Sequence, residues 1–200
     1  MANSKDKIII GNCSGFYGDR LSAAKDMVEG GPIDVLTGDY LAELTMTILY
    51  NQKMNRGEDQ GYVGTFLKQF KDVAETCQEK NIKIVTNAGG LNPSSMANKI
   101  EGIIQELNLD LKVAYIDGDD LIPRFEELKK ANEPLANMEK GISLHDYSKP
   151  PLTANAYFGA WGIKEALDNG ADVVVCPRVT DAAVVIGPAA WKYNWSRDNF

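Results

Sequence analysis

The sequence has few cysteines and a single histidine, and these scarcities exclude several kinds of site. Its three cysteines, Cys13, Cys77 and Cys176, are odd in number and lie far apart, so they form neither a disulfide framework nor a CxxC metal motif. Such cysteine usage is typical of a reducing compartment, and we expect a cytoplasmic protein. His145 alone cannot build a multi-histidine zinc or iron centre. We therefore predict no metal site.

Long apolar runs and basic clusters are also lacking. No run approaches the roughly 20 apolar residues of a membrane-spanning helix. The polar segment Met1–Lys7 precedes only three isoleucines, which does not match a signal peptide. The net charge of −7 argues against nucleic acid as a partner, because phosphate neutralisation needs clustered Lys and Arg. We therefore expect a soluble protein that binds a small molecule, with neither a membrane nor a nucleic-acid partner.

What the sequence does contain is a unit that occurs five times: an apolar run, a polar turn rich in Gly, Asp or Asn, and a helical stretch. The apolar runs are Lys7–Ile10, Ile33–Thr37, Ile82–Thr86, Leu111–Ile116 and Ala171–Cys176. Because they are continuously apolar rather than alternating, they indicate strands buried on both faces. We predict an α/β fold with a mainly parallel sheet of about five strands and helices on both faces, a Rossmann-like three-layer arrangement.

One segment, Ala131–Asn155, does not follow this pattern. It contains three prolines and little periodicity, and irregular stretches of this length in a compact domain are usually functional or mobile. We predict a single α/β domain over residues 1–200, with an irregular lid or insertion over residues 131–155.

The polar loops that follow the five runs are the predicted ligand site. In an open parallel sheet, ligands bind in the crevice outside the carboxyl ends of the strands. Every such loop also needs turn residues whether or not it binds a ligand. The candidate side chains in these loops are Asn12, Ser14, Asp19, Asp39, Asn87, Asn92, Asp117, Asp119, Arg178, Thr180 and Asp181.

The first of these loops has the pattern GxxxGxxG directly after a strand and before a predicted helix over Asp19–Glu29. Free N–H groups at a helix start favour an anion, so phosphate or CoA pyrophosphate is a plausible ligand. The spacing differs from the dinucleotide fingerprint GxGxxG, which disfavours a standard NAD(P) site although Asp39 is suitably placed for a ribose. The predicted binding residues of this loop are Gly11, Asn12, Ser14, Gly15 and Gly18.

The loops after the third and fifth runs supply the predicted catalytic groups. Arg178 follows a buried strand, where a guanidinium can hold a carboxylate or phosphate bidentately. Asn87 is a candidate for stabilising an oxyanion, and Asp39 or Asp181 for acid–base catalysis with a pKa raised by burial. A structural Arg–Asp pair is the alternative interpretation of Arg178 and Asp181. The predicted catalytic residues are Asp39, Asn87 and Asp181, and the further binding residues are Gly89, Arg178 and Thr180.

Three other features each allow two interpretations. The acidic loop with Asp117, Asp119 and Asp120 can ligate Mg²⁺, although a solvated loop that caps the next helix is favoured. Cys13 precedes a helix start that would lower the pKa of its thiol and make it a nucleophile; a buried thiol is the alternative. Tyr157 and its aromatic neighbours have helical spacing, which core packing explains better than a cofactor site.

Five motifs together resemble a known family. They are Ile10–Arg20, Leu36–Glu43, Thr86–Gly90, Pro177–Ala183 and Gly187–Ala189. Taken in this order, they are similar to the acyclic terpene utilisation (AtuA) family, from about residue 7 to the last residue.

The resemblance implies a role in the degradation of terpenoid or branched-chain acyl-CoA compounds. Members are typically longer than this chain, which resembles their amino-terminal part, so we expect a homo-oligomer or a complementary carboxy-terminal part as partner. We predict an enzyme that acts on a carboxylate or acyl-thioester metabolite by hydration or lyase-type chemistry, with a CoA thioester as substrate. The alternatives are a non-catalytic nucleotide- or CoA-binding subunit and an NAD(P)-dependent oxidoreductase.

Overall fold

The computed structural model describes residues 7–147 and 149–198, and in these residues five parallel strands form one sheet. Its order is β1-β2-β3-β5-β4, which confirms the predicted parallel sheet. The prediction that no signal peptide is present was made from Met1–Lys7, and of these residues the structure describes only Lys7. The strands are β1 Ile10–Asn12, β2 Val35–Gly38, β3 Lys83–Thr86, β4 Val113–Tyr115 and β5 Val173–Val175.

Helices cover both faces of the sheet, as predicted for a three-layer α/β fold. Helices α1, α3 and α4 pack on one face, and α6 and α7 pack against each other and the other face. No helix among the described residues is long and apolar enough to span a bilayer. The helices are α1 Ala23–Gly30, α2 Glu43–Arg56, α3 Gly64–Lys80, α4 Pro93–Glu106, α5 Phe125–Lys130, α6 Trp161–Asp168 and α7 Ala183–Lys192.

The central strands have neighbouring apolar residues because they contribute to two separate cores. On β2, Leu36 points to the core under α1, α3 and α4, and Val35 points to the core under α6 and α7. Ile84 and Val85 of β3 divide in the same way. Alternate side chains of a strand face opposite sides of the sheet, so a sheet covered on both sides needs apolar residues at every position.

The strand order creates a switch point between β3 and β5. The chain passes from β3 through α4 to the far edge at β4 and then returns to β5 between them. The connections that leave β3 and β5 therefore run to opposite faces, through α4 and α7. Such a divergence opens a crevice at the carboxyl ends of the two strands, where ligands of open α/β sheets bind.

The first unit differs from its prediction at both boundaries. Strand β1 includes Gly11 and Asn12, which were expected in the loop, and α1 begins later than the expected Asp19. A Cβ on Gly11 would lie 2.5 Å from Cγ of Met27, so glycine at this position lets α1 pack closely on the strand. Asp19 accepts hydrogen bonds from the backbone N–H groups of Gly15 and Arg20, which holds the intervening residues in a turn.

The segment over residues 131–155 lies between α5 and α6. Its described part contains a 3₁₀ turn at Leu144–Asp146 and no α-helix or sheet strand. His145 is held within it, because Nε2 lies 2.8 Å from the carbonyl oxygen of Glu133 and the ring packs on Phe125. A role as a lid stays a prediction.

Residues 152–158, here called the crossing segment, then pass over the ends of β4 and β5. Asn155 forms an antiparallel bridge with Asp120, and Phe158 a parallel bridge with Val179. The backbone N–H of Leu121 donates to the carbonyl of Ala154 at 2.7 Å. The crossing segment therefore ties the loop after β4 to the loop after β5 and closes one side of the crevice.

Candidate functional site

Asp39 and Asn87 meet at the carboxyl ends of β2 and β3. The Nδ2–H of Asn87 donates to Oδ1 of Asp39 at 2.5 Å, and Oδ1 of Asn87 accepts the backbone N–H of Tyr40 at 2.8 Å. Because Asn87 is completely buried, both ends of its amide serve to fix Asp39 and the loop that carries it. The sequence predicted that Asn87 stabilises an oxyanion. In the structure, its donating N–H group binds Asp39 instead.

Arg178 lies at the end of β5, on the other side of the switch point. Its Nη1–H groups donate to the carbonyl of Val179 at 2.6 Å and to Oδ1 of Asp181 at 3.1 Å. The side chain is 4% exposed, yet its Nε–H has no hydrogen-bond partner among the described residues. An unpartnered buried donor is costly. A bound carboxylate or carbonyl oxygen would satisfy it.

The carboxylates around Arg178 determine the electrostatics of the site. Burial raises the pKa of Asp39, and its bond to Asn87 opposes this shift. The negative charge of Asp181 raises the pKa of Asp39 further, while Arg178 lowers it. Asp39 therefore lies within electrostatic range of Asp181 and Arg178, which form an ion pair at 3.1 Å. The fold therefore brings together the three predicted catalytic residues and the predicted anion-binding arginine.

Tyr157 of the crossing segment covers Arg178. The guanidinium carbon lies 4.0 Å from the centroid of the tyrosine ring, and the hydroxyl of Tyr157 donates to Oε1 of Glu43 at 2.5 Å. This bond joins the crossing segment to the start of α2. Between them is a cleft of about 250 Å³, whose lining is Glu43, Met46, Thr47, Thr153, Asn155, Tyr157 and Arg178.

Asp119 connects the crossing segment to the loop after β5 by two hydrogen bonds. Its Oδ2 accepts from Nδ2 of Asn155 at 2.8 Å and from the backbone N–H of Arg178 at 3.2 Å. Burial raises its pKa, and these two donors oppose the shift. The favoured interpretation of a solvated loop is thus wrong for Asp119, which is buried. It is correct for Asp120, which is exposed and caps the next turn through the N–H of Ile122.

The glycine-rich first loop satisfies its own polar groups. The N–H of Gly15 is bound to Asp19 at 3.1 Å, Nδ2 of Asn12 donates to the carbonyl of Ser14 at 2.9 Å, and the Ser14 hydroxyl donates to Phe16 at 2.9 Å. A carboxylate of the protein therefore occupies a donor that was predicted to hold phosphate. The loop contacts the crevice through its backbone, because the N–H of Asp39 donates to Ser14.

The remaining predicted binding residues have backbone roles. A Cβ on Gly89 would lie 2.6 Å from the carbonyl oxygen of Cys176, so glycine allows the loops after β3 and β5 to approach each other at the base of the crevice. The N–H of Thr180 donates to the carbonyl of Phe158, and its own carbonyl accepts from Ala183 at the start of α7. Their roles in binding stay predictions.

The two interpretations of Cys13 are decided by its burial. Burial raises the pKa of the Cys13 thiol to about 11. The expected lowering by the helix start is therefore wrong, and a buried thiol is the correct alternative. Cys176 is also buried. Within the described residues, no group of three or more His, Cys, Asp or Glu side chains is placed to hold a metal ion.

Two residues of the cleft were missed or misjudged from the sequence. Tyr157 was assigned to core packing, but its ring is 47% exposed and stacks on Arg178. It precedes α6, so its apparent helical spacing had no structural meaning. Glu43 occupies the first turn of α2 and is the last residue of the motif Leu36–Glu43. That motif does not indicate its contact with Tyr157, because the contact depends on where the irregular segment crosses the sheet.

Comparison with known proteins gives one finding. The family model described as acyclic terpene utilisation family protein AtuA matches residues 8–200 of the chain. No curated protein and no solved structure matches it significantly.

Proposed function

The chain belongs to the acyclic terpene utilisation family, and on this premise we propose that it is an enzyme of terpenoid or branched-chain acyl-CoA breakdown. Membership implies a part in acyclic terpene utilisation. The proposed substrate is a carboxylate or an acyl thioester, whose acyl oxygen binds beside Arg178 in the cleft between α2 and the crossing segment.

The observation that supports this proposal most strongly is the unpartnered Nε–H of Arg178. The guanidinium is held in place by Val179, Asp181 and the ring of Tyr157, so it is oriented before a ligand binds. The fixed fork of arginine suits a planar acyl group with two oxygens or one polarised carbonyl. A ligand oxygen would satisfy the donor that the protein leaves without a partner.

The surrounding charges favour the acyl end of the substrate over the phosphates of CoA. Asp39, Asp181 and Glu43 all lie close enough to Arg178 to interact with it electrostatically. Repulsion by these three carboxylates grows with the charge of the ligand, so it is stronger for the CoA phosphates than for a single carboxylate and is absent for a neutral thioester carbonyl. We therefore place the CoA phosphates outside the cleft.

Asp39 is the proposed general base. A raised pKa makes its carboxylate a stronger base than an ordinary aspartate. In a hydration, Asp39 takes a proton from water while the water oxygen bonds to the β-carbon of an α,β-unsaturated acyl group. The electron pair of the double bond moves towards the acyl oxygen, where Arg178 stabilises the negative charge. Asp39 then returns the proton to the α-carbon, which completes the addition of water.

Asn87 is the proposed positioning residue for this base. Its amide donates to Asp39 and accepts from the next backbone N–H, so it sets both the orientation and the pKa of the carboxylate. Replacing Asn87 by Asp would place a second carboxylate against Asp39. We expect this change to raise the pH at which activity appears, whereas a purely structural role would lower activity equally at all pH values.

The test follows the conjugated double bond of branched α,β-unsaturated acyl-CoA thioesters by absorbance. We expect its loss in the presence of the protein, an at least hundredfold slower rate for Asp39→Asn and Arg178→Gln, and little change for the control Asp19→Asn. Tight binding of the thioesters without turnover would instead indicate a non-catalytic binding subunit. Equal activity in Arg178→Gln would contradict the proposed site.

A further inference from the structure

One face of α2 lines two neighbouring cavities. Glu43, Met46 and Thr47 border the cleft at Arg178, and Tyr50 and Met54, one and two turns further along, border a second cavity of about 180 Å³. The two cavities have Thr153 of the crossing segment in common. They are therefore successive parts of one groove that runs along α2.

The second cavity is lined mainly by large apolar side chains. Met54, Ile122 and Leu152 are 63%, 37% and 53% exposed, although residues of this kind are normally buried. They belong to three different elements and face the same hollow, together with Leu91 and Tyr50. An apolar hollow bordered by exposed side chains is typical of a ligand-binding groove.

Four polar residues also line this hollow: Lys53, Glu58, Asp120 and Thr153, of which Asp120 is exposed and accepts the backbone N–H of Ile122. Lys53 and Glu58 form an ion pair at 3.2 Å, and Glu58 is almost fully exposed. Because each charge has its partner, the pair presents no unpaired charge to a ligand. The polarity of the groove therefore changes along its length, from the guanidinium of Arg178 at one end to the apolar hollow at the other.

We infer that the apolar end binds the hydrocarbon tail of an acyl group whose oxygen is held by Arg178, with Thr153 as the specificity-determining residue between them. This inference rests on the proposed function and extends it to the substrate class: acyclic acyl groups of medium length. From Glu43 to Met54 the groove follows α2 for about 16 Å, from the helical rise per residue. We assign an acyl tail to the hollow because the hollow adjoins the cleft in which Arg178 holds the acyl oxygen.

The experiment measures binding of butanoate, hexanoate, octanoate and decanoate to the whole chain by calorimetry. Each added methylene that leaves water should tighten binding about two- to fourfold, so affinity should rise steadily along the series. Thr153→Trp should abolish this rise by filling the junction between the two cavities. The control Leu44→Trp introduces the same tryptophan on α2 at a residue that is 72% exposed and borders neither cavity.

The outcomes separate this inference from the proposed function. Butanoate binding that is lost in Arg178→Gln, with no gain from longer chains, would overturn the tail site and leave the Arg178 site intact. A rise with chain length that survives Thr153→Trp would overturn the assigned groove. If no member of the series binds, the proposed acyl site and its tail extension both fail.

Discussion

The loop after β1 and the loop after β5 offer an instructive comparison, because both are polar turns at the carboxyl end of a parallel strand. In the first loop, the polar side chains bond to the loop itself, and Asp19 takes the N–H of Gly15. In the second, Arg178 is buried with an unpartnered Nε–H and faces residues from two other parts of the chain, α2 and the crossing segment. The first loop has the glycine motif that predicts a binding site. The second loop has the buried donor that lacks a hydrogen-bond partner.

The difference teaches that turn chemistry and ligand chemistry use the same residue types. Gly, Asn, Ser and Asp form a tight turn whether or not a ligand is present. A buried donor without a partner is rarer in folded proteins and calls for a physical explanation. The two loops are therefore distinguished better by whether their polar groups have hydrogen-bond partners than by the spacing of their glycines.

The largest effect should come from changing Arg178, compared with changing the charged residue Asp19 of the first loop. Arg178→Gln should weaken hexanoate binding about a hundredfold, because a charge-assisted, bidentate hydrogen bond is lost. Asp19→Asn should leave affinity within about twofold, because its carboxylate only closes its own turn. Calorimetry measures both. A weaker complex for Asp19→Asn than for Arg178→Gln would reverse the comparison.

The next effect concerns the acids that support the second loop. Asp119→Ala removes the acceptor of the N–H of Arg178 and of the Asn155 amide, which leaves two donors unsatisfied and should lower the free energy of unfolding by about 2 kcal/mol. The control Asp117→Ala, two residues earlier and exposed, should change it by less than about 0.5 kcal/mol. Denaturant unfolding compares them. Equal effects would show that Asp119 does not fix the crevice.

Two glycines, Gly11 of β1 and Gly15 of the loop that follows it, allow a test of the packing around the first loop. Gly11→Ala should destabilise the protein by about 1–2 kcal/mol through overpacking, because a Cβ there would meet Met27 and lie 3.2 Å from Ile33. Gly15→Ala should cost much less, because nothing lies within 4 Å of its Cβ position. Neither change should alter hexanoate affinity. Loss of binding in a well-folded Gly11→Ala protein would restore this loop as part of the site.

The smallest effect is a pH-dependent gain in stability from Asp39→Asn. In the folded protein, the pKa of Asp39 is raised above its unfolded value, so the charged carboxylate destabilises the native state when the pH is above both values. The variant should therefore have the higher melting temperature at neutral pH. This advantage should disappear as the pH falls below the ordinary aspartate pKa, where wild-type Asp39 is neutral in both states. A larger advantage in acid than at neutral pH would contradict this direction.

Fold and site differed in how far the sequence determined them. The parallel sheet and its two layers of helices follow from continuous apolar runs such as Val173–Val175, since a strand buried on both faces needs apolar residues at each position. The meeting of Asp39, Asn87 and Arg178 follows from their places after strands. The strand order, which brings β5 beside β3, depends on long-range packing that no local pattern contains.

The cleft itself was less predictable for the same reason. Tyr157 reaches Arg178 because the irregular segment crosses the ends of β4 and β5, bridged through Asn155 and Phe158. Neither bridge has a periodic sequence signal. The turn at Asp19 also escaped prediction, because an acidic residue early in a helical pattern fits a helix start as well as a loop.

The most direct test of the account is the ¹H–¹⁵N resonance of the Arg178 Nε–H group during a titration with hexanoate, with Arg178→Lys used to assign the signal. We predict a downfield proton shift that saturates with the calorimetric affinity, because the unpartnered donor gains a carboxylate acceptor. The other arginine Nε–H signals should stay in place. An Arg178 signal that does not move at saturating hexanoate would contradict the assignment of the ligand to this site.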